Sequence, residues 1–236
     1  LEKNALFVLK EAKGEYVMFL GDDDFIEYEY LLNSINHLKN NTETFTIVPN
    51  FIPVNLDGIP VGKGRDDGLP NLLYESGFEN CLKNSWRGHQ LSGLILKRKN
   101  LHESYLEHKV RNIYLFIFLV GYSCLRGDTY HSTQYQVKVT KPGQENKDWG
   151  YGDDGLINEV FDNYKKLPVI TYHKILLQIY FFKKQSYRLW MYRLKGNKAL
   201  FKAFFKIWAS SNSTWGFKLI FPFFVFFQKI KRIMIN

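Results

Sequence analysis

Residues 15–25 are Glu-Tyr-Val-Met-Phe-Leu-Gly-Asp-Asp-Asp-Phe, a short apolar run that opens directly into three adjacent carboxylates. The apolar part, Tyr16–Leu20, is continuous rather than alternating, which predicts a strand that is buried on both faces. Neighbouring carboxylates repel one another and raise each other's pKa, so Asp22–Asp24 needs either full hydration or a cation. The two interpretations are an acidic turn that caps the next helix and a divalent-cation site.

Helix and strand patterns alternate around this stretch. Residues 1–12 and 28–38 carry apolar side chains at helical spacing, and Thr44–Val48 is a second β-rich run. The alternation predicts an α/β fold with a mostly parallel sheet, in which ligands bind beyond the carboxyl ends of the strands. The segment 49–71 is rich in proline and glycine and is predicted to be a loop. Its Asp66-Asp67 pair is expected to be solvated.

Composition narrows the class of protein. Of 236 residues, 45% are hydrophobic and 23% are charged, which is typical of a globular chain and not of a disordered one. The two cysteines give no disulfide framework and fit a reducing compartment. The six histidines show neither HxxxH nor HExxH spacing, so a zinc site is not expected.

A longer string around the acidic turn carries a family resemblance. Asn4, Ala12, Gly14-Glu15-Tyr16 and Leu20-Gly21-Asp22-Asp23-Asp24, in that spacing, resemble the centre of the family 2 glycosyltransferases, which have the Rossmann-like GT-A fold. The resemblance is specific over residues 4–38. It implies a nucleotide-diphosphate sugar as donor, inversion at the anomeric carbon and a DXD-type metal motif.

The resemblance also implies roles for the three aspartates. Asp22 would approach the ribose or the sugar, Asp24 would ligate Mg²⁺ or Mn²⁺, and Asp23 would lie between them in the donor site, with Asp22 as a second candidate ligand. The first strands of the GT-A fold, which hold the nucleotide base, would precede Leu1. The chain is therefore expected to be N-terminally incomplete.

A second segment is expected to shape the acceptor side. Ser85–Arg98 resembles the family's segment before the acceptor pocket, where a small residue lets the backbone approach the donor sugar. Gly93 would be that residue, and Trp86 or His89 could line the pocket. The alternative is a surface loop that leads into a core strand.

The catalytic base departs from the family pattern. That family places Glu-Asp just before a helix, but Lys109-Val-Arg-Asn112 precedes the corresponding helix here, and Glu107 is the last carboxylate before it. A carboxylate is the usual base for an inverting transfer. Asp153 and Asp154, in a glycine-rich turn, are the first candidates and Glu107 is the second. The alternative for the Asp pair is an N-cap on the helix that starts at Leu156.

The C-terminal part is basic and aromatic. Residues 181–236 contain 12 Lys and Arg and no Asp or Glu, so we expect a catalytic domain over 1–180 and a helical, basic, aromatic extension over 181–236. The uninterrupted apolar run Leu219–Phe227 is shorter than the ~20 residues that a spanning helix needs. A segment of this kind is suited to the interface of an anionic bilayer. Alternatively, its aromatic residues pack on the catalytic domain and its lysines face water.

The family resemblance implies a metal-dependent, inverting glycosyltransferase, and the basic, aromatic C-terminal part favours a cytoplasmic protein that is peripheral on the inner face of the cell membrane. Its acceptor would be a saccharide, carried on a lipid, in the synthesis of capsule, O-antigen or another bacterial surface polysaccharide. One alternative is a non-catalytic module of the same fold that associates with membrane or polysaccharide. The other is a nucleic-acid-binding protein, but that hypothesis leaves Asp22–Asp24 unexplained, so no nucleic acid partner is expected.

Overall fold

A computed structural model describes residues 1–141 and 156–235 of the chain. The chain divides into two compact units, residues 1–147 and 148–236. The boundary expected at residue 180 falls inside the helix Thr171–Gln185 of the second unit. Charge composition indicated that boundary, whereas Phe181 and Phe182 belong to the core of the second unit. Compact units are defined by which apolar side chains pack together, and net charge does not report this.

The first unit combines short helices with a curled sheet of six strands. Its helices are α1 (Glu2–Glu11), α2 (Tyr28–Asn40), α3 (Phe78–Asn84), the 3₁₀ helix Ser85–His89, α4 (Leu101–Glu107) and α5 (Leu115–Cys124). Its strands are β1 (Tyr16–Met18), β2 (Phe25–Ile26), β3 (Thr44–Val54), β4 (Leu72–Tyr74), β5 (Ile95–Lys97) and β6 (Asp128–Thr140).

The sheet is mixed, and the expectation of a mostly parallel sheet was wrong. The strand order is β1-β5-β3-β6-β2, and β4 also pairs with β6. Among the described strands only β3 and β6 run parallel, whereas the β1–β5, β5–β3, β2–β6 and β4–β6 pairs are antiparallel. The parallel pair is joined by the helical crossover α3–α5, as parallel neighbours require. β2, β4 and β5 pair antiparallel with one strand of this central pair, and β1 joins the sheet only through β5.

The two central strands are longer than their sequence patterns indicated. β3 continues through Pro49 and Pro53 to Val54, although both prolines were expected in a loop. Its pairing with β6 shifts register between Pro49 and Asn50, and such irregularities are where a sheet tolerates proline. The core beside this pair includes Tyr30, Ile47 and Val137, while the apolar helix α5 is almost entirely buried.

The second unit is helical in its described part. Its elements are α6 (Leu156–Lys166), α7 (Thr171–Gln185), α8 (Tyr187–Met191), the 3₁₀ helix Tyr192–Lys195, α9 (Asn197–Ala209) and α10 (Trp215–Ile235). Phe161, Phe182, Phe217 and Phe221 form its core, mostly through edge-to-face ring contacts. Within residues 1–141 and 156–235, no helix combines the length and the apolar character that crossing a bilayer requires.

Candidate functional site

The acidic turn, Gly21–Asp24, lies where the edge strand β1 ends. The backbone of Phe19 still pairs with the segment before β5, through Phe19 N–H to the Leu94 carbonyl (3.0 Å) and Gly93 N–H to the Phe19 carbonyl (2.8 Å). The chain then turns, with Asp24 N–H donating to the Gly21 carbonyl at 3.3 Å. Asp22 and Asp23 are exposed and Asp24 is half-buried. The apolar run thus opens into carboxylates because the strand leaves the sheet at this point.

Asp24 faces inward and is held by three donors. Its Oδ1 accepts the backbone N–H of Thr140 at 2.9 Å. Its Oδ2 accepts the hydroxyl of Ser92 and, at 3.4 Å, the amide of Gln90. Burial and the charges of Asp23 and Asp22 raise the pKa of Asp24, against the lowering effect of the Ser92 and Thr140 hydrogen bonds. The carboxylate is therefore fixed in position, and it binds a proton more readily than an ordinary aspartate.

Ser92 and Gly93 form the floor on which the turn rests. The Ser92 hydroxyl also accepts the Gly21 N–H at 2.9 Å, so one buried side chain fixes both ends of the turn. Gly93 has φ +80°, and a Cβ there would lie 2.5 Å from Val137 Cγ2. Its carbonyl accepts the hydroxyl of the fully buried Tyr30. The requirement for a small residue at position 93 is thus at least a packing requirement, in addition to any role toward a ligand.

Trp86 and His89 lie in the 3₁₀ helix that precedes this floor. Trp86 is buried, with its ring stacked on His89 at 5.8 Å between centroids. The His89 Nδ1 lies 2.9 Å from the Trp86 carbonyl. Of the two residues proposed to line an acceptor pocket, only His89 is partly accessible.

A buried ionic centre, here called the Asp66 cluster, comprises Asp66, Arg65, Arg87 and His131. The Asp66 carboxylate is 5% exposed and lies 2.7 Å from Arg65 Nε, 3.2 Å from an Arg87 amino nitrogen and 3.1 Å from His131 Nε2. The expectation that Asp66 is solvated was therefore wrong. The loop that follows β3 folds back and inserts this side chain between β6 and the 3₁₀ helix.

The groups around Asp66 control its ionisation. Burial alone would raise the pKa of Asp66, but the hydrogen bond from His131 and the charges of Arg65 and Arg87 hold it well below its usual range. Burial lowers the pKa of His131 despite the neighbouring carboxylate. Asp66 is therefore ionised and His131 is neutral near pH 7, which leaves one net positive charge inside the cluster.

The Asp66 cluster fastens the loop that follows β3 to β3 itself and to the 3₁₀ helix Ser85–His89. Arg65 N–H donates to the Phe51 carbonyl at 2.9 Å, and an Arg65 amino group donates to the Pro49 carbonyl at 2.6 Å. The guanidinium of Arg65 also lies 4.9 Å from the Phe51 ring and 5.5 Å from the Trp86 ring. Through these contacts the cluster holds the loop against β3 and against the 3₁₀ helix that contains His89.

The candidate bases fall outside this arrangement. Glu107 is the exposed last residue of α4 and takes no part in the hydrogen bonds that organise the acidic turn. Asp153 and Asp154 lie outside the described residues. Asn112 ends the segment Lys109–Asn112, which was expected to contain a carboxylate and has none; it is buried, and its side-chain oxygen accepts the Tyr114 N–H at 3.0 Å.

The described residues hold no cluster of three or more His, Cys, Asp or Glu side chains able to bind a metal ion. Within the acidic turn, Asp22 and Asp23 have exposed carboxylates, which are hard oxygen ligands of the kind that Mg²⁺ and Mn²⁺ prefer. Both oxygens of Asp24 already accept hydrogen bonds from the protein. The donor set therefore fits a cation held by one or two carboxylates together with ligand oxygens, with Asp22 as the more accessible of the two proposed ligands.

Comparison with solved structures identifies the fold. It is similar to that of residues 1–349 of S. aureus TarS. The TM-score is 0.58 at 14% sequence identity, and the alignment covers 88% of this chain and 58% of TarS 1–349. This likeness assigns a glycosyltransferase-like fold. No protein-family profile matches the sequence, and no curated protein matches it.

Several residues of the site were not singled out by their sequence. Ser92 and Gln90 lie within the segment expected on the acceptor side, yet nothing local marks them as partners of Asp24. Thr140 is the last residue of β6 and lies 116 positions from Asp24. The sequence signal that pointed to such partners was the acidic turn itself. Of its three adjacent carboxylates at the end of an apolar strand, Asp24 is half-buried in the fold, and buried carboxylates require hydrogen-bond donors nearby.

Proposed function

We propose that this chain is the catalytic part of a glycosyltransferase that moves a sugar from a nucleotide-diphosphate sugar to a saccharide acceptor. The observation that carries the proposal is the acidic turn at the end of β1, braced by Ser92 and Thr140, in a fold similar to that of TarS. TarS is a staphylococcal wall teichoic acid glycosyltransferase. The chain spans 58% of the TarS structure it matches, so the activity of the whole protein is part of this proposal.

In the proposed reaction the exposed carboxylates of the turn hold the donor. Asp22 and Asp23 would hold Mg²⁺ or Mn²⁺ beside the donor diphosphate, where such a cation would supply charge neutralisation for the leaving group. Asp24 has a positioning role, because its hydrogen bonds with Ser92 and Thr140 fix the geometry of the turn. The transfer is inverting, and the acceptor is a lipid-linked saccharide of a bacterial surface polysaccharide.

Association with the inner face of the cell membrane is proposed for the second unit. Its helices α9 and α10 pack through stacked Phe204 and Phe221 but leave many apolar side chains in solvent. We call this surface the aromatic face: Phe201, Phe205, Trp208, Trp215, Leu219, Phe223, Phe226 and Phe227, each at least 40% exposed. An anionic bilayer matches it, because residues 181–236 carry 12 cations and no carboxylate.

Titration calorimetry of the full chain with Mn²⁺ and a panel of nucleotide sugars tests the enzymatic proposal. We expect nucleotide-sugar binding that requires the metal and that is lost in Asp22→Asn. Asp57→Asn, a change of the same kind at an exposed turn, should bind as the unmodified chain does. Equal binding by Asp22→Asn and the unmodified chain would refute the assigned metal site.

A second candidate is a non-catalytic module of the same fold. The specific observation in its favour is that the segment Lys109–Asn112 contains no carboxylate and that Glu107, on α4, takes no part in the hydrogen bonds of the acidic turn. Such a module predicts no release of nucleotide diphosphate from any donor of the panel with Mn²⁺ present. Release that is abolished by Asp22→Asn excludes it.

A further inference from the structure

A concave surface of the first unit lies at the opposite end of β1 from the acidic turn. It has a volume of about 790 Å³ and is bounded by α1, the end of β5 and the start of α4. We call it the cationic groove. Since Tyr16 pairs with Lys97 at this end, the groove and the turn are separated by Tyr16–Leu20, about 13 Å of extended chain. The cations that line the groove are Lys10, Lys97, Arg98, Lys99 and Arg126.

The groove concentrates positive charge in a part of the chain that is almost neutral as a whole. Residues 1–141 contain 16 Lys and Arg and 17 Asp and Glu. In the groove, five cations face two carboxylates, Glu15 and Glu103. Glu15 lies 3.6 Å from Lys97, and Glu103 lies 3.9 Å from His102. Among the described residues, four of these cations form no ion pair: Lys10, Arg98, Lys99 and Arg126. Five cations and two carboxylates leave the groove a net charge of +3 with His102 neutral.

Neutral groups hold several of these cations in place. Arg98 Nε donates to the Gly14 carbonyl at 2.7 Å. The Lys97 ammonium donates to the Thr42 carbonyl at 3.2 Å and lies 4.6 Å from the Phe45 ring. Arg126 donates to the Tyr122 hydroxyl and lies over that ring. The Gly14 carbonyl and the Tyr122 hydroxyl thus orient Arg98 and Arg126 without cancelling their charges, so these two guanidinium groups are positioned before any anion binds.

The aromatic rings that line the groove do not favour a nucleic acid as its ligand. Single strands are held by base stacking on exposed aromatic faces in addition to phosphate contacts. Phe45 is the aromatic ring that lines the groove besides His102, and it is only partly exposed, with the Lys97 ammonium over it. The groove therefore offers charge without a stacking platform.

We propose that the cationic groove binds a chain of repeated oxyanions, phosphodiester or carboxylate, that carries no bases. The several cations along an open surface suit a polymer better than a single anion, because each repeat unit then meets another ammonium or guanidinium group. The site is separate from the acidic turn and does not depend on sugar transfer.

Two probes distinguish the sources of the oxyanion: short-chain inorganic polyphosphate and polygalacturonate. Binding of each to the full chain is measured by calorimetry at two salt concentrations, and we expect affinity to fall on the order of tenfold or more between about 50 and about 200 mM salt. Lys10→Glu/Lys99→Glu should weaken binding of the preferred probe at least tenfold. Lys39→Glu/Lys63→Glu reverses two exposed lysines outside the groove and should leave that affinity within twofold.

Because residues 181–236 are also basic, a site-resolved measurement accompanies the titration. Lysine acetylation followed by mass spectrometry reports which ammonium groups a probe covers. Protection of Lys10 and Lys99, with Lys39 unprotected, supports the proposal. Protection confined to residues 181–236, equal binding by both double variants, or tighter binding of an oligouridylate that displaces both probes from Lys10 and Lys99 overturns it.

Discussion

The carboxylate of Asp24 accepts the backbone N–H of Thr140 at 2.9 Å, which ties the acidic turn after β1 to the end of β6. The two residues are 116 positions apart in the chain. This contact holds the side chain of Asp24 toward the protein interior, whereas the side chains of Asp22 and Asp23 remain exposed to solvent. The position of the acidic turn therefore depends on a residue from the far end of the first unit.

Ser92 is expected to stabilise the turn through both of its hydrogen bonds. Ser92→Ala leaves the Gly21 N–H and one oxygen of Asp24 without this partner, so the free energy of unfolding should fall by about 1–3 kcal/mol. Urea unfolding followed by circular dichroism measures the change. Ser76→Ala removes an exposed hydroxyl and should change the free energy by less than about 0.5 kcal/mol; equal effects of the two substitutions would contradict the assigned role.

Gly93 allows a comparison between two glycines of the same backbone conformation. Gly93 and Gly68 both have φ +80°, but a Cβ at Gly68 meets nothing within 4 Å, whereas a Cβ at Gly93 would meet Val137 and Pro49. Gly68→Ala should cost about 1–2 kcal/mol from its backbone alone. Gly93→Ala should cost more, by on the order of 1–3 kcal/mol, because it also overpacks the core. Thermal unfolding of both variants tests this, and a cost at Gly93 no larger than that at Gly68 would show that the contact with Val137 relaxes freely.

The Asp66 cluster should be sensitive to loss of its carboxylate. Asp66→Asn leaves Arg65 and Arg87 buried without a counter-charge, and breaking a buried pair in this way costs about 3–5 kcal/mol. Chemical denaturation provides the measurement, with Asp57→Asn as an exposed control. A loss below about 1 kcal/mol, the range of surface pairs, would indicate that water reaches the cluster.

The same cluster predicts acid sensitivity of the first unit. The pKa of His131 is lowered by its burial, opposed by Asp66, with Arg65 and Arg87 nearby. The unfolded chain therefore binds a proton at His131 more readily than the folded chain, and stability should decrease as the pH falls below about 6.5. The depressed pKa of Asp66 adds a further loss below about pH 4, where the unfolded carboxyl takes up a proton first.

Comparison of His131→Gln with the unmodified chain isolates the histidine contribution. Unfolding free energies at about pH 7 and about pH 5 should differ less in the variant than in the unmodified chain, since glutamine does not titrate in this interval. An identical pH dependence in both proteins would mean that His131 does not control the acid response.

The aromatic face gives a direct test of membrane association. Phe223→Ser/Phe227→Ser removes two exposed rings of α10, and each ring contributes about 1.5–3 kcal/mol when fully buried in an apolar phase. We expect co-sedimentation with vesicles rich in anionic lipid to weaken at least tenfold. Tyr172→Ser/Tyr187→Ser removes two exposed rings outside this face and should sediment as the unmodified chain does. Equal sedimentation by both variants would exclude the aromatic face as the contact.

Local patterns in the sequence located many of the elements. The helical spacing of residues 1–12 and 28–38 predicted α1 and α2 to within about two residues. The β-rich run Thr44–Val48 predicted the first half of β3. These elements were accessible because helix and strand periodicities are set by residues adjacent in the chain.

The pairing between strands could not be predicted from local sequence patterns in the same way. Short strands such as β2 and β5 carry too few residues to show their direction, so an alternation of helices and strands was wrongly taken to indicate a mostly parallel sheet. Pro49 and Pro53 were taken as loop residues because proline removes a backbone donor. β3 accommodates them through a register shift that only its partner strand reveals.

The sequence by itself determined that an apolar strand ends in a carboxylate turn and that the C-terminal part is basic and aromatic, since both are properties of consecutive residues. Only the tertiary structure decided which aspartates face solvent. Asp24 and Asp66 are held by donors from Thr140, Ser92, Arg87 and His131, which lie 21 to 116 positions away. The environment of a carboxylate is set by the segments that pack on it, and chain order does not specify them.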